Sequence, residues 1–227
     1  MNSVNFTIRD NNKLNISNNI SNTCFSKLCN NIYTFNSVII DTKYYSANTT
    51  MYNLYKKALI LKKNDRITES IKVFEECEHM ITKTHDKDLI NIYYEVYVNL
   101  GLLMEQTIQN FDKIKFYYTK VISLCPDRCE PYFYFSIYCN RISKYDVSYK
   151  LLHTALPLTY ENVKKKYKYI QSTAYGKHLY YELSIACNGL KKYDEGIKLL
   201  EDIKDDIEYS YNFHNIHTQL QILKSLI

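Results

Sequence analysis

Two stretches decide the fold: CEPYFYFSIYCNRISKYDVSYKLLHTALPLTYEN at 129–162, and KHLYYELSIACNGLKKYDEGIKLLEDIKDDIEYS at 177–210. Tyr132, Phe135, Ser136 and Cys139 of the first align with Tyr180, Leu183, Ser184 and Cys187 of the second. Tyr145, Ser148, Leu152 and Ala155 align in the same way with Tyr193, Gly196, Leu200 and Ile203. Each pair is 48 positions apart, which is one 34-residue repeat plus a 14-residue insertion. In the first half of each repeat, a large residue is followed three and four places on by a large and a small one; in the second half a small residue stands three places after the large one. That spacing forms one helix face, with a notch for a second helix. Periods of this length mark stacked helix pairs, whose usual work is to bind partners.

The pattern resembles the tetratricopeptide (TPR) repeat family. Two further copies read upstream. In 51–84 the marks are Leu54, Ala58, Leu61, Ser70, Phe74 and Cys77, with Lys57 where an apolar residue is expected. In 94–126 they are Tyr97, Leu100, Gly101, Met104, Phe111, Ile114, Tyr118 and Val121, closed by Pro126. The expected fold is all-α: a helix-turn-helix solenoid of about four repeats over 51–210. A capping helix is expected over 211–227, from Phe213, Ile216, Leu220, Leu223 and Ile227. Residues 1–50, rich in Asn, Ser and Thr, carry no helical period and are expected to be irregular or partly disordered. Insertions fall at 84–93, where Asp86 or Asp88 is a candidate helix cap, and at 163–176.

Composition fits this architecture. With 227 residues, 46% of them hydrophobic, the chain can bury a full core. Tyrosine, at 24 copies with no tryptophan, supplies much of the expected packing. No apolar run reaches the roughly 18 residues of a membrane span. The start Met1-Asn2-Ser3 lacks a secretory pattern, so a cytoplasmic protein is expected. Asn-x-Ser/Thr sequons at Asn5, Asn15, Asn19 and Asn48 are read as chance products of an Asn-rich segment.

Catalytic chemistry finds little support. Seven cysteines, an odd number, suit a reducing compartment, and Cys77, Cys139 and Cys187 fall at core places of the repeat. Cys125 and Cys129 bracket a turn, but no second pair at zinc spacing follows. His214 and His217 share a helical spacing without a third ligand. Four glycines exclude a Gly-rich phosphate cradle. Neither a cofactor nor a metal is expected, and the chain reads as a non-enzyme.

A narrower resemblance covers about 58–203. The run Pro126-Asp127-Arg128-Cys129-Glu130-Pro131-Tyr132, then 145–155, then Tyr180-Tyr181-Glu182-Leu183-Ser184-Ile185 and Tyr193-Asp194-Glu195-Gly196 carry it. They resemble the TPR-like region that follows the catalytic domain of some family-2-type glycosyltransferases. There, an Arg-x-Glu pair opens one helix and a Tyr…Glu-Leu-Ser/Ala segment opens a later one. Relatives of this kind occur in giant DNA viruses, and the Asn-, Ile-, Lys- and Tyr-rich composition suits AT-rich coding. The resemblance implies an accessory of a glycosylation system, with a glycosyltransferase as partner, in a host cytoplasm or virion if the source is viral. It does not carry over transferase activity, because the 50 residues before the first repeat are too few for a nucleotide-sugar domain. Asp86-Lys87-Asp88 sits at a helix start, where carboxylates complement the helix dipole.

The first helix of each repeat is expected to line a concave groove. Helical spacing puts Tyr55 there from the first copy, Phe133, Ile137, Asn140 and Arg141 from the third, and Tyr181, Ile185 and Asn188 from the fourth. Leu59, Leu102, Ile137 and Ile185 fill the central row, which excludes the carboxylate clamp of chaperone-binding TPR proteins. The expected ligand is a protein or peptide segment with apolar anchors, and Asn140 and Arg141 fix its register. A second reading makes the chain a glycosyltransferase-associated domain that binds nucleotide sugar or acceptor glycan. A third is a nucleic-acid module using Lys164, Lys165, Lys166 and Lys168 with interleaved Tyr167 and Tyr169. The competing reading of 163–176 is a solvated loop, and nucleic acid is the less expected partner.

Overall fold

A computed structural model of the protein describes residues 49–81, 89–107, 110–167, 170–205 and 213–227, the side chains of 213–215 excepted. All lie within Thr42–Ile227, a single compact unit. The expectations for 1–48, for Asp86 and Asp88, for Lys168 and Tyr169, and for the side chain of His214 fall outside the described residues.

The described chain is helical, with no strand among its described residues. Four helix pairs follow one another: α1 Thr49–Lys63 with α2 Ile67–Ile81, and α3 Ile90–Thr107 with α4 Phe111–Leu124. Then come α5 Glu130–Arg141 with α6 Tyr145–Ala155. The short α7 Tyr160–Val163 and a 3-10 turn, Ser172–Ala174, separate these from α8 Lys177–Gly189 and α9 Tyr193–Glu201. The last helix is α10, Phe213–Lys224. α3 begins four residues ahead of the second copy's start at Tyr94, so part of the 84–93 insertion lengthens that helix at its start.

The repeat marks do the packing expected of them. Ala58, Phe74, Cys77, Leu100, Met104, Ile114, Tyr118, Val121, Cys139, Leu152, Leu183, Cys187 and Leu200 are all fully buried. The small residues set helix approach. Ser70 Oγ donates to the Ala58 carbonyl at 2.8 Å, joining α2 to α1. A Cβ on Gly101 would stand 3.0 Å from the Tyr118 ring, so glycine here lets the large ring of the second helix come close, while Ile114 holds the place that is Ser or Gly in the other copies. Ser136 and Ser148 meet the same need in the third pair, both with no exposure. In the fourth, a Cβ on Gly196 would lie 3.2 Å from Cys187 Cβ.

Three of the four pairs turn in the same way. Asp65, Ser143 and Lys191 hold φ of 58°, 60° and 60°. In each case the following N–H reaches back five residues: Arg66 to Leu61, Lys144 to Cys139 and Lys192 to Cys187, at 2.9, 2.8 and 2.8 Å. This is the left-handed helix stop that satisfies end carbonyls, built here without glycine. Ser143 and Lys191 are themselves 48 apart, so the repeat extends to its backbone turns.

Each second helix packs on its own first helix, and α1, α3, α5 and α8 touch in succession. These first helices form the inner layer of a TPR-like solenoid. α10 closes the array: Ile216, Leu220 and Leu223 pack with Leu200 and Ile203, against Tyr180, Tyr181, Tyr193 and Ile197.

The 163–176 insertion is not a solvated loop in its second half. Val163, Ala174 and Tyr175 are buried, and the Tyr175 hydroxyl accepts from the Cys129 N–H at 3.1 Å. The segment thereby caps α5, whose own N-cap, Cys129, offers no side-chain hydrogen bond.

Candidate functional site

The inner face of the first helices is more polar and more closed than its sequence suggests. Tyr55 and Phe133 are only 2% and 3% exposed. Tyr55 packs against Phe74, ring centroids 6.3 Å apart, and Phe133 against Tyr134 at 6.0 Å. Tyr181 is half-buried beside the α9–α10 cluster. Ile137, Ile185 and Asn188 stay part-exposed, as does Leu59. Ile137 and Ile185 hold equivalent places on adjacent helices, and α5 and α8 are in contact.

Polar side chains stitch neighbouring repeats along this face. Lys62 Nζ of α1 donates to Asn99 Oδ1 of α3 at 2.6 Å. Arg141 of α5 pairs with Glu105 of α3 at 3.1 Å. Glu105 also accepts from the buried Tyr118 hydroxyl at 2.5 Å. Asn140 Nδ2 of α5 donates to the Glu182 carbonyl of α8 at 3.0 Å and to Glu182 Oε2 at 2.9 Å. Asn140 and Arg141 are both engaged between repeats. Asn99 and the bonding role of Glu182 were not singled out from the sequence, whereas helical spacing puts Glu105 on this face. The signal for Glu182 was present, since it lies four residues after His178 and three before Ile185, on the same helix face.

Burial sets the charge states here. The carboxyls of Glu95, Glu105 and Glu182 are each pushed up to about 7 by desolvation. Arg141 and Tyr118 draw Glu105 back toward ionisation, and Arg128 and Lys62 do so for Glu95. For Glu182 that role falls to the neutral Asn140 amide. The His178 imidazole is held below its ordinary value by burial.

The Arg-x-Glu pair lies beneath this face, at the start of α5. Arg128 and Glu130 are each 2% exposed and bond at 2.7 Å. The guanidinium stacks 3.6 Å above the Tyr94 ring. Glu130 Oε2 accepts from the Tyr175 hydroxyl at 2.7 Å and Oε1 from the Gln171 N–H at 3.2 Å. Tyr134 completes the joint by donating to Gln171 Oε1 at 2.7 Å. The motif thus welds the insertion to α3 and α5.

In the basic segment, Lys164 pairs with Glu161, and Lys166 with Asp127 at 2.7 Å. Tyr167 donates to the same Asp127 at 2.6 Å. Lys165 is exposed. Cys77, Cys125, Cys129, Cys139 and Cys187 are buried free thiols. Desolvation raises all five, which disfavours the reactive thiolate. Among the described residues, no group of three or more His, Cys, Asp or Glu is placed to hold a metal. No described helix is long and apolar enough to cross a membrane.

No family model and no curated protein matches the chain. Solved structures do resemble it. A MamA structure from AMB-1 superposes with a TM-score of 0.53 at 15% identity, covering 78% of this chain and 81% of that one. MamA, residue 41 to the end, from Desulfovibrio magneticus RS-1 gives 0.51 at 14%, covering 78% and 95%. MamA is a TPR-like helical protein, and at this identity the likeness is one of fold. Sequence period, helix pairing and these structures agree on a TPR-like helical solenoid.

Proposed function

We propose that this solenoid is a non-catalytic scaffold that docks a protein segment along the inner face of its first helices. One observation carries this: Ile137 and Ile185, large aliphatic residues at equivalent places on touching helices, stay part-exposed while neighbouring Phe133 is buried. Apolar positions spaced by a repeat suit an extended or helical segment. The Arg128-x-Glu130 and Tyr180 to Ile185 segments, similar to the helical region of family-2-type glycosyltransferases, support such an enzyme as the partner.

The test is affinity capture from host lysate with Ile137→Asp and Ile185→Asp beside the wild type. Both positions are part-exposed, so helical content and unfolding midpoint should hold while the partner is lost. Phe133 is unsuitable, since its truncation would open the core. Capture of the same protein by wild type and both variants would sink the groove reading. A glycosyltransferase absent from a specific catch would remove the pathway assignment alone.

A further inference from the structure

We propose that Asn140 and Glu182 form a subsite for an arginine side chain carried by the docked segment, an inference that rests on the groove reading above. The site is made of acceptors. Asn140 Nδ2 faces two acceptors, the Glu182 carbonyl and Oε2, which fixes the orientation of its amide. Asn140 Oδ1 is then left buried, with no hydrogen-bond donor, in a residue only 8% exposed. Buried acceptors without donors are rare in native structures, and an absent ligand is one standard cause.

The charge is unmatched as well. Glu105 has Arg141, Glu130 has Arg128, and Glu201 has Lys204 and Lys224. No lysine or arginine among the described residues forms an ion pair with Glu182. The nearby charged and titratable groups do not fill the gap. Arg141, next to Asn140, is drawn to Glu105. His178, one turn before Glu182, is held toward its neutral form. Glu182 is itself part-exposed, and burial holds its carboxyl near 7, where a bound cation would ionise it.

The shape favours arginine. A guanidinium presents donors along two edges of one plane, and can serve a carboxylate and a separate amide oxygen together. Its aliphatic stem would lie along Ile137 and Ile185, each one turn from the polar pair.

The test uses the full chain and two acetylated peptides of one leucine-flanked frame, with arginine or citrulline at the centre. Citrulline keeps the shape and removes the charge. Titration calorimetry should give the arginine peptide an advantage of about tenfold or more, the range of a charge-assisted contact. In Glu182→Gln, which can still accept from Asn140, the advantage should collapse while the citrulline affinity stays put and the unfolding midpoint does not fall. Ile137→Ser, which adds no charge, should weaken both peptides alike. Equal affinities in the wild type would overturn the subsite and leave the groove reading standing. If neither peptide binds, both are overturned for linear segments of this kind.

Discussion

Removing the carboxylate of Glu130 should cost more than any change on the groove surface, and the structure indicates why. In Glu130→Ala, Arg128 keeps its charge, is 2% exposed, and loses its 2.7 Å partner. The Tyr175 hydroxyl and the Gln171 N–H lose their acceptor in the same step. Breaking one side of a buried pair costs about 3–5 kcal/mol, less what the nearby Glu95 carboxyl returns to Arg128. The stacking of Arg128 on Tyr94 persists and offsets a small part. Urea unfolding at pH 7, followed by helical circular dichroism, should show this loss. Arg128→Met combined with Glu130→Gln should be milder than Glu130→Ala, because neither partner then leaves an unpaired charge. Amide exchange supplies a local readout: Gln171, Ala174 and Tyr175 should exchange faster in Glu130→Ala than α1 and α2 do. A loss under about 1 kcal/mol, with exchange at Gln171 unchanged, would refute the claim that this pair holds the insertion on the array.

Other outcomes follow from the same geometry. Glu95, Glu105 and Glu182 are raised to about 7 in the fold, so folding takes up protons between the ordinary carboxylate range and that value. Their stabilisation is complete in acid and is lost as pH climbs through 7; from pH 8 to 6 each independent group adds about 1.3 kcal/mol. His178, lowered by burial, opposes this by up to about 0.8 kcal/mol, so the urea midpoint at pH 6 should exceed that at pH 8 by roughly 1–3 kcal/mol equivalent, and a flat or falling profile would contradict these assignments. Ser143→Gly and Lys191→Gly, at φ of 60°, should each stabilise by up to about 1 kcal/mol by relieving left-handed strain; a lower midpoint in both would refute it. Gly101→Val should destabilise by about 1–3 kcal/mol, since its Cβ would sit 3.0 Å from the buried Tyr118 ring. An unchanged thermal midpoint would show that this contact yields freely.

The helix pairs were legible in the sequence because the repeat is a packing code. Tyr132, Phe135, Ser136 and Cys139 report the helix period and the notch together, and the same spacing returns 48 residues on. The inner face was legible only as a set of positions. Helical spacing places Phe133 and Ile137 one turn apart, but whether each stays open depends on neighbouring helices, and Phe133 is buried where Ile137 is not. The 163–176 insertion resisted reading because its order comes from distant partners: Tyr175 and Gln171 are held by Glu130, more than 40 residues away. Arg128-x-Glu130 was visible as a motif, yet its spacing alone does not say that both side chains turn inward.

The junctions between first helices explain why the inner face carries an unmatched charge at one end. Lys62 and Asn140 hold equivalent repeat positions, and so do Asn99 and Glu182. At the first junction a cationic donor meets a neutral amide; at the last a neutral amide meets a carboxylate. Between them, Arg141 and Glu105 pair directly, cation to anion. All three contacts can join one repeat to the next, so adhesion between repeats does not require an anion at Glu182. A glutamine there would accept the same hydrogen bond without the desolvation that raises this carboxyl. The carboxylate is therefore better accounted for by something it receives from outside the array than by the array's own cohesion.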